Sequence, residues 1–191
     1  MRWWSMDSGD LLDRLTGHVA TRPTASMAEL ATAAGIGRAT LFRRFPTRDA
    51  LVAALAGRAL DRFVTAIDEA GPEDGEPAAA LARVCRAVVG LGPEVALLAL
   101  QPLSPLRESA LLSESAGTWE RVVSLVRRGQ RSGDFDVTVD PAWVVTMITW
   151  LTVGAADEVR TGRLAPRAVA DALPAAVLAV LRAGTGARIV G

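Results

Sequence analysis

The sequence predicts an all-α protein of about nine helices, with a three-helix N-terminal head (residues 1–62) followed by a larger helical body (63–191). Three observations carry that prediction. Apolar residues recur at three- and four-residue spacing through most of the 191 residues, the mark of helices with one buried face. No segment alternates with period two for long: Phe135 to Val139 is the one strand-like run, and Gly133 and Asp140 beside it favour a connecting loop. In the body, each helical stretch is opened by proline or closed by glycine. There is no internal repeat.

The first helix is expected from Asp10 to Ala20, where Leu11, Leu12, Leu15 and Val19 form one stripe. A second begins at Met27, because Ser26 followed three residues later by Glu29 is a capping box, each side chain satisfying a backbone amide of the other. Met27, Leu30, Ala31 and Ala34 give it a narrow face of mostly small residues that lets another helix approach closely. Gly35 ends it, since glycine accepts the left-handed conformation of a helix C-cap, and Gly37 keeps the turn short with Ile36 tucked beneath. A third helix is expected from Arg38 to Phe45, stopped by Pro46. Leu41 and Phe45 face inward, leaving Arg38, Ala39, Thr40, Phe42, Arg43 and Arg44 outside.

Small residues, a hydroxyl and arginines on one helical face suit a major groove, where arginine bonds guanine edges bidentately and small residues let the helix sit deep. Charge agrees. Between Ser26 and Arg48 there are four arginines (Arg38, Arg43, Arg44 and Arg48) against the single acid Glu29, in a chain of zero formal charge. A basic patch confined to one end implies that nucleic acid meets that end alone.

The segment from about Leu11 to Leu55, reading SMAELATAAGI and then TLFRRFPTRDAL, resembles the DNA-binding domain of the tetracycline-repressor (TetR) family of bacterial transcriptional regulators. The resemblance implies double-stranded operator DNA as partner, with Arg38, Ala39, Thr40 and Arg43 toward bases or sugars and Ser26, Phe42, Arg44 and Arg48 toward phosphates. Phe42 stands where the family often has tyrosine, so one phenolic hydroxyl is missing.

After the head, Thr47 caps a long helix with Asp49 in its first turn; Leu51, Leu55, Ala59, Leu60, Phe63 and Ile67 line one side as far as the Gly71–Gly75 loop. Further helices are expected from Pro77 to Leu91, Pro93 to Leu100, Leu106 to Arg131, Pro141 to Thr161 and Pro166 to Arg182. The last two are unusually apolar. Val144, Leu151, Gly154 and Ala155 on one, with Leu173, Ala176, Val177 and Val180 on the other, are expected to form a four-helix interface between two copies, as the resemblance also implies. A homodimer offers two reading heads to a two-fold site. The apolar, charge-poor middle of the body contains Cys85, Val89, Leu97, Gln101, Trp119, Val123, Met147 and Trp150. By the resemblance these enclose a small apolar effector whose preference for one conformer releases DNA, making the protein a ligand-responsive repressor.

Other classes are disfavoured. The single cysteine, Cys85, forms no internal disulfide, and with His18 as the one histidine no metal cluster is expected. No cofactor and no catalytic site are expected: His18 has no serine or cysteine near it in sequence, and the acidic groups read as helix ends and a loop. A helical adaptor gripping another protein is the alternative reading, with an all-α enzyme behind it. No apolar run reaches the roughly 20 residues a membrane span requires, and the opening MRWWSMDSGD carries acids where a secretory signal would be apolar. A cytoplasmic location without membrane contact is expected. Trp3 and Trp4 fit no periodic pattern.

Overall fold

The computed structural model describes residues 8–101 and 105–182; Trp3 and Trp4 lie outside them. The described chain is all-α, with α1 Ser8–Thr21, α2 Met27–Ala33, α3 Arg38–Arg44, α4 Arg48–Ala70, α5 Pro77–Gly90, α6 Gly92–Leu100, α7 Pro105–Ser132, α8 Pro141–Arg160 and α9 Pro166–Arg182. Each expected helix is present with ends displaced by a few residues at most. Phe135–Val139 is a loop.

The chain divides into two compact units. Of the described residues, the first takes in those up to Arg62 together with those between Pro93 and Ser113; the second comprises Phe63–Gly92 and those from Glu114 to Arg182. The first unit thus includes α6 from Pro93 onward. Two polar contacts tie α6 down within this first unit. Glu94, 6% exposed, pairs with Arg62 of α4, and the Gln101 side-chain amide, equally buried, donates to the Val19 carbonyl at 3.0 Å. Arg58 binds Asp13 through two bonds of 2.7 and 2.9 Å, joining α4 to α1 and holding the Asp13 carboxyl below its ordinary range. Around these contacts Leu11, Leu15, Leu30, Leu41, Leu51, Leu55 and Leu97 are buried. Each contributes about 1.5–3 kcal/mol relative to exposure.

In the second unit α5 packs on α8 and α9, and α8 on α9. Val84, Cys85, Val88, Ile148, Val177 and Leu181 lie in its core. Burial raises the Cys85 thiol to about 12, so it is an inert packing group. The rings of Phe63 and Trp119 meet at 4.6 Å. Arginines replace secondary structure in the α4–α5 loop: Arg83 donates to the carbonyls of Ala70, Gly71 and Asp74 at 2.8–2.9 Å, and Arg128 to those of Pro72, Glu73 and Gly75. Arg121 pairs with Asp68 and Glu73 beside it.

The turn after α7 depends on a close approach. Phe135, 2% exposed, lies against Gly129 so tightly that a Cβ there would fall 2.2 Å from the ring. Gly129→Ala is expected to destabilise the protein by about 1–3 kcal/mol through overpacking. Gly117→Ala on the same helix meets nothing within 4 Å and is expected to be neutral or stabilising by up to about 1 kcal/mol. Denaturation midpoints of the two variants check the contrast.

Candidate nucleic-acid interface

The head builds its exposed surface from the capping box upward. The Ser26 backbone N–H donates to Glu29 Oε2 at 2.8 Å, the Ser26 hydroxyl donates to the same oxygen at 2.7 Å, and the Glu29 N–H returns a bond to Ser26 Oγ at 3.3 Å. These bonds fix where α2 begins. The serine hydroxyl given by the resemblance to a phosphate is thus already engaged inside the protein. Glu29 is held below its ordinary value of 4.5, first by the Ser26 backbone donor and then by the Ser26 hydroxyl.

Met27, Leu30, Ala31 and Ala34 are buried, so α2 turns its small-residue face inward. Gly35 takes φ 69°, the left-handed conformation that turns the chain, and Ile36 N–H bonds back to the Ala31 carbonyl at 3.0 Å. Gly37 is the N-cap of α3 without a side-chain bond, and α3 ends one residue before the expected Phe45, which is its C-cap. Leu41 is wholly buried and anchors α3. Arg38, Ala39, Arg43 and Arg44 are exposed, Thr40 half-buried, and Phe42 37% exposed. The Arg38 guanidinium lies over the Phe42 ring at 5.5 Å, so the ring serves as a platform for this arginine although it lacks a hydroxyl.

Arg48 sits differently from the other three cations. It is half-buried, and its guanidinium donates to the Pro23 carbonyl and, at 3.5 Å, to that of Ala25. Thr47 caps α4 by accepting from the Ala50 N–H at 3.0 Å.

The residues expected to enclose an effector are divided between the two units. Leu97 and Gln101 belong to the first unit, and the remaining six belong to the second. Within that second unit Cys85 and Val123 are buried and Val89, Trp119 and Met147 half-buried, whereas Trp150 is 54% exposed. A groove of about 460 Å³ in the second unit is lined by Glu73, Glu120, Arg121, Arg128 and Arg131 among others, and shares no residue with that set.

The residues expected at a dimer face also separate. Val144, Leu173 and Val177 are at most 4% exposed and belong to the core of the second unit, while Leu151, Gly154, Ala176 and Val180 are exposed and Ala155 half-buried. Helical period explains the split. Val144, Ile148 and Thr152 follow at four-residue steps on the buried side of α8, so Trp143, Trp150 and Gly154 fall on the other, with Met147 and Leu151 along the boundary between the two. Trp143 is 58% exposed; both sides of α8 are apolar, so sequence pattern does not assign them. Among the described residues no group of His, Cys, Asp and Glu could hold a metal ion, and no helix is long and apolar enough to cross a membrane.

Comparison with known proteins bears on the same segment. A family model described as bacterial regulatory proteins, tetR family, matches residues 23–55, which hold the capping box, the turn and α3. The HTH-type transcriptional repressor LfrR of Mycolicibacterium smegmatis is 39% identical over 92 residues, a match spanning 48% of this chain and 49% of that protein. The HTH-type transcriptional regulator NfxB of Pseudomonas aeruginosa is 31% identical over 162 residues, covering 81% of this chain and 83% of that one. The structure of the TetR-like regulator LfrR from Mycobacterium smegmatis in complex with proflavine superposes with a TM-score of 0.69 at 26% identity, over 91% of this chain and 95% of that chain.

The depressed Glu29 carboxyl makes the head sensitive to acid. A group held below its unfolded value stabilises the fold above that value and loses the contribution as pH falls through the folded one. Glu29→Gln keeps an acceptor and removes the charge, so thermal midpoints of the wild type are expected to fall more steeply below about pH 4.5 than those of the variant. Identical profiles would show that the capping box draws nothing from ionisation.

Proposed function

The chain belongs to the TetR family of bacterial regulatory proteins, and from that premise we propose that it is a cytoplasmic, ligand-responsive repressor that reads a palindromic operator as a homodimer. Family and fold support DNA-binding transcriptional regulation. The observation that carries the finer reading is the state of α3: Leu41 locks it inward while Arg38, Arg43 and Arg44 stand in solvent with Ala39 between them. Arginine reads guanine O6 and N7, and alanine permits close approach to the groove. Arg44 and the exposed edge of Phe42 are assigned to the sugar-phosphate backbone, and Arg38, Arg43, Ala39 and Thr40 to bases.

The homodimer reading is supported by the outer stripe of α8. Trp143, Trp150 and Leu151 are 58%, 54% and 43% exposed, with Val180 of α9 at 43%, which is costly unless covered. Gly154 and Ala176 let two helices cross closely at this face. For an effector, the interior of the second unit is proposed, around Cys85, Trp119 and Val123. The Thr152 hydroxyl there is fully buried without a hydrogen-bond partner and would serve as a polar anchor. That LfrR takes up proflavine supports an aromatic, largely apolar compound. Helices α4 and α7 run unbroken from one unit to the other, giving a covalent path between effector and head.

Two outcomes test this reading. With a duplex selected from a random library, Arg43→Ala is expected to weaken specific binding by about 1–3 kcal/mol and to relax preference at one base pair; equal losses on every sequence would deny Arg43 a reading role. Trp150→Glu combined with Leu151→Asp is expected to give a helical monomer in sedimentation. A dimer persisting in that variant would place the interface elsewhere.

A further inference from the structure

We propose that Arg48 is a positioning residue for DNA recognition rather than a phosphate ligand, acting through the loop that precedes α2. The proposal rests on the reading of the head as a DNA-binding surface and changes what one of its four cations does. Three observations support it. Arg48 is half-buried, unlike Arg38, Arg43 and Arg44. Its Nη2 donates to the Pro23 carbonyl and its Nε faces that of Ala25 at 3.5 Å. Nε and Nη2 form one of the two edges with which arginine makes bidentate bonds to phosphate, and Nη2 also belongs to the other, so both forks are engaged at least in part on the protein's own backbone. Finally, Arg48 is the first residue of α4, where a cation is disfavoured by the helix dipole and gains by leaning away toward carbonyl oxygens.

The loop needs such a brace. Pro23 has no N–H, the Ala25 N–H is used on the Arg22 carbonyl at 3.0 Å, and the Ser26 N–H is used on Glu29. The guanidinium supplies the Pro23 and Ala25 carbonyls with donors from 25 and 23 residues away. The end of this loop is the N-cap of α2, and α2 is joined to α3 by the turn at Gly35. Withdrawing Arg48 loosens the start of the pair that presents α3. For Arg48 to grip a phosphate bidentately through either fork, its Nη2 would have to release the Pro23 carbonyl of the loop that orients the pair.

Phosphate ligation and positioning leave different signatures in salt. Losing one phosphate contact reduces the slope of log affinity against log salt by about 0.9, whereas losing a brace lowers affinity without changing the number of counterions released. The test is anisotropy titration of wild type, Arg48→Ala and Arg48→Gln on a duplex selected with the wild type, from about 50 to 200 mM salt. The expected result is that Arg48→Ala weakens binding by about threefold to tenfold at every salt concentration, with an unchanged slope. Arg48→Gln, which is neutral but can still donate to one carbonyl, is expected to recover part of that loss. A slope shallower by about 0.9 in both variants, with glutamine no better than alanine, overturns the proposal alone. Unchanged affinity in both variants beside a lowered thermal midpoint also overturns it, by reducing Arg48 to a stability role. A wild type without sequence-specific, salt-dependent binding overturns the DNA reading and this proposal with it.

Discussion

A helix of seven residues does not hold itself together in water, and the head contains two of them in succession, α2 and α3. The surroundings of both are arranged around that weakness. The capping box sets the first residue of α2, the left-handed Gly35 sets the turn, and Leu41 pins α3 from beneath. Helices α1 and α4 supply the apolar floor, and the Asp13–Arg58 pair keeps that floor from sliding. Because α3 owes its shape to tertiary packing, its arginines can be exposed without the helix dissolving. Rigid presentation of a short helix lets a few side chains distinguish base pairs.

The second unit solves a different problem, the ordering of loops. Between α4 and α5, Arg83 and Arg128 bind six backbone carbonyls, so a loop rich in glycine and acid is fixed by side chains from helices. Between α7 and α8, Phe135 fills the space left by Gly129, and the Gln130 amide bonds the carbonyls of Asp136 and Val139 at 2.9 and 2.7 Å. Between α8 and α9, Arg160 and Arg163 pair with Asp157 and Glu158. With its loops fixed, α8 presents apolar surface on two sides, one packed in the core and one exposed to solvent.

Much of the head was legible because its signals are local. Ser26 and Glu29, Gly35, and the Leu41 to Phe45 spacing each act within one or two helical turns, and the structure keeps their geometry nearly residue for residue. Signals that depend on distant partners were not legible. Nothing in the segment from Pro93 to Leu100 announces that Glu94 and Gln101 join it to α4 and α1 across 32 and 82 residues. Arg48 reads in sequence as one more basic residue, and its carbonyl partners became visible only in three dimensions. On α8 and α9 the failure has another cause. Apolar residues surround both helices, so periodicity could not separate the core positions Val144, Leu173 and Val177 from the exposed Trp143, Trp150 and Val180. Pro174 within α9, also buried, shows that packing there overrides a helix-breaking residue.

The central claim is that a rigidly held α3 reads a DNA sequence, and it is tested most directly by anisotropy of the unmodified protein. The duplexes are the DNA just upstream of its own coding region and a scrambled duplex of the same composition, each followed across a salt series. Tighter binding to the natural duplex, with a steep negative salt slope, is the predicted result. Equal, salt-insensitive binding to both, followed by failure to enrich any sequence from a random library, would contradict it and favour a head that grips another protein.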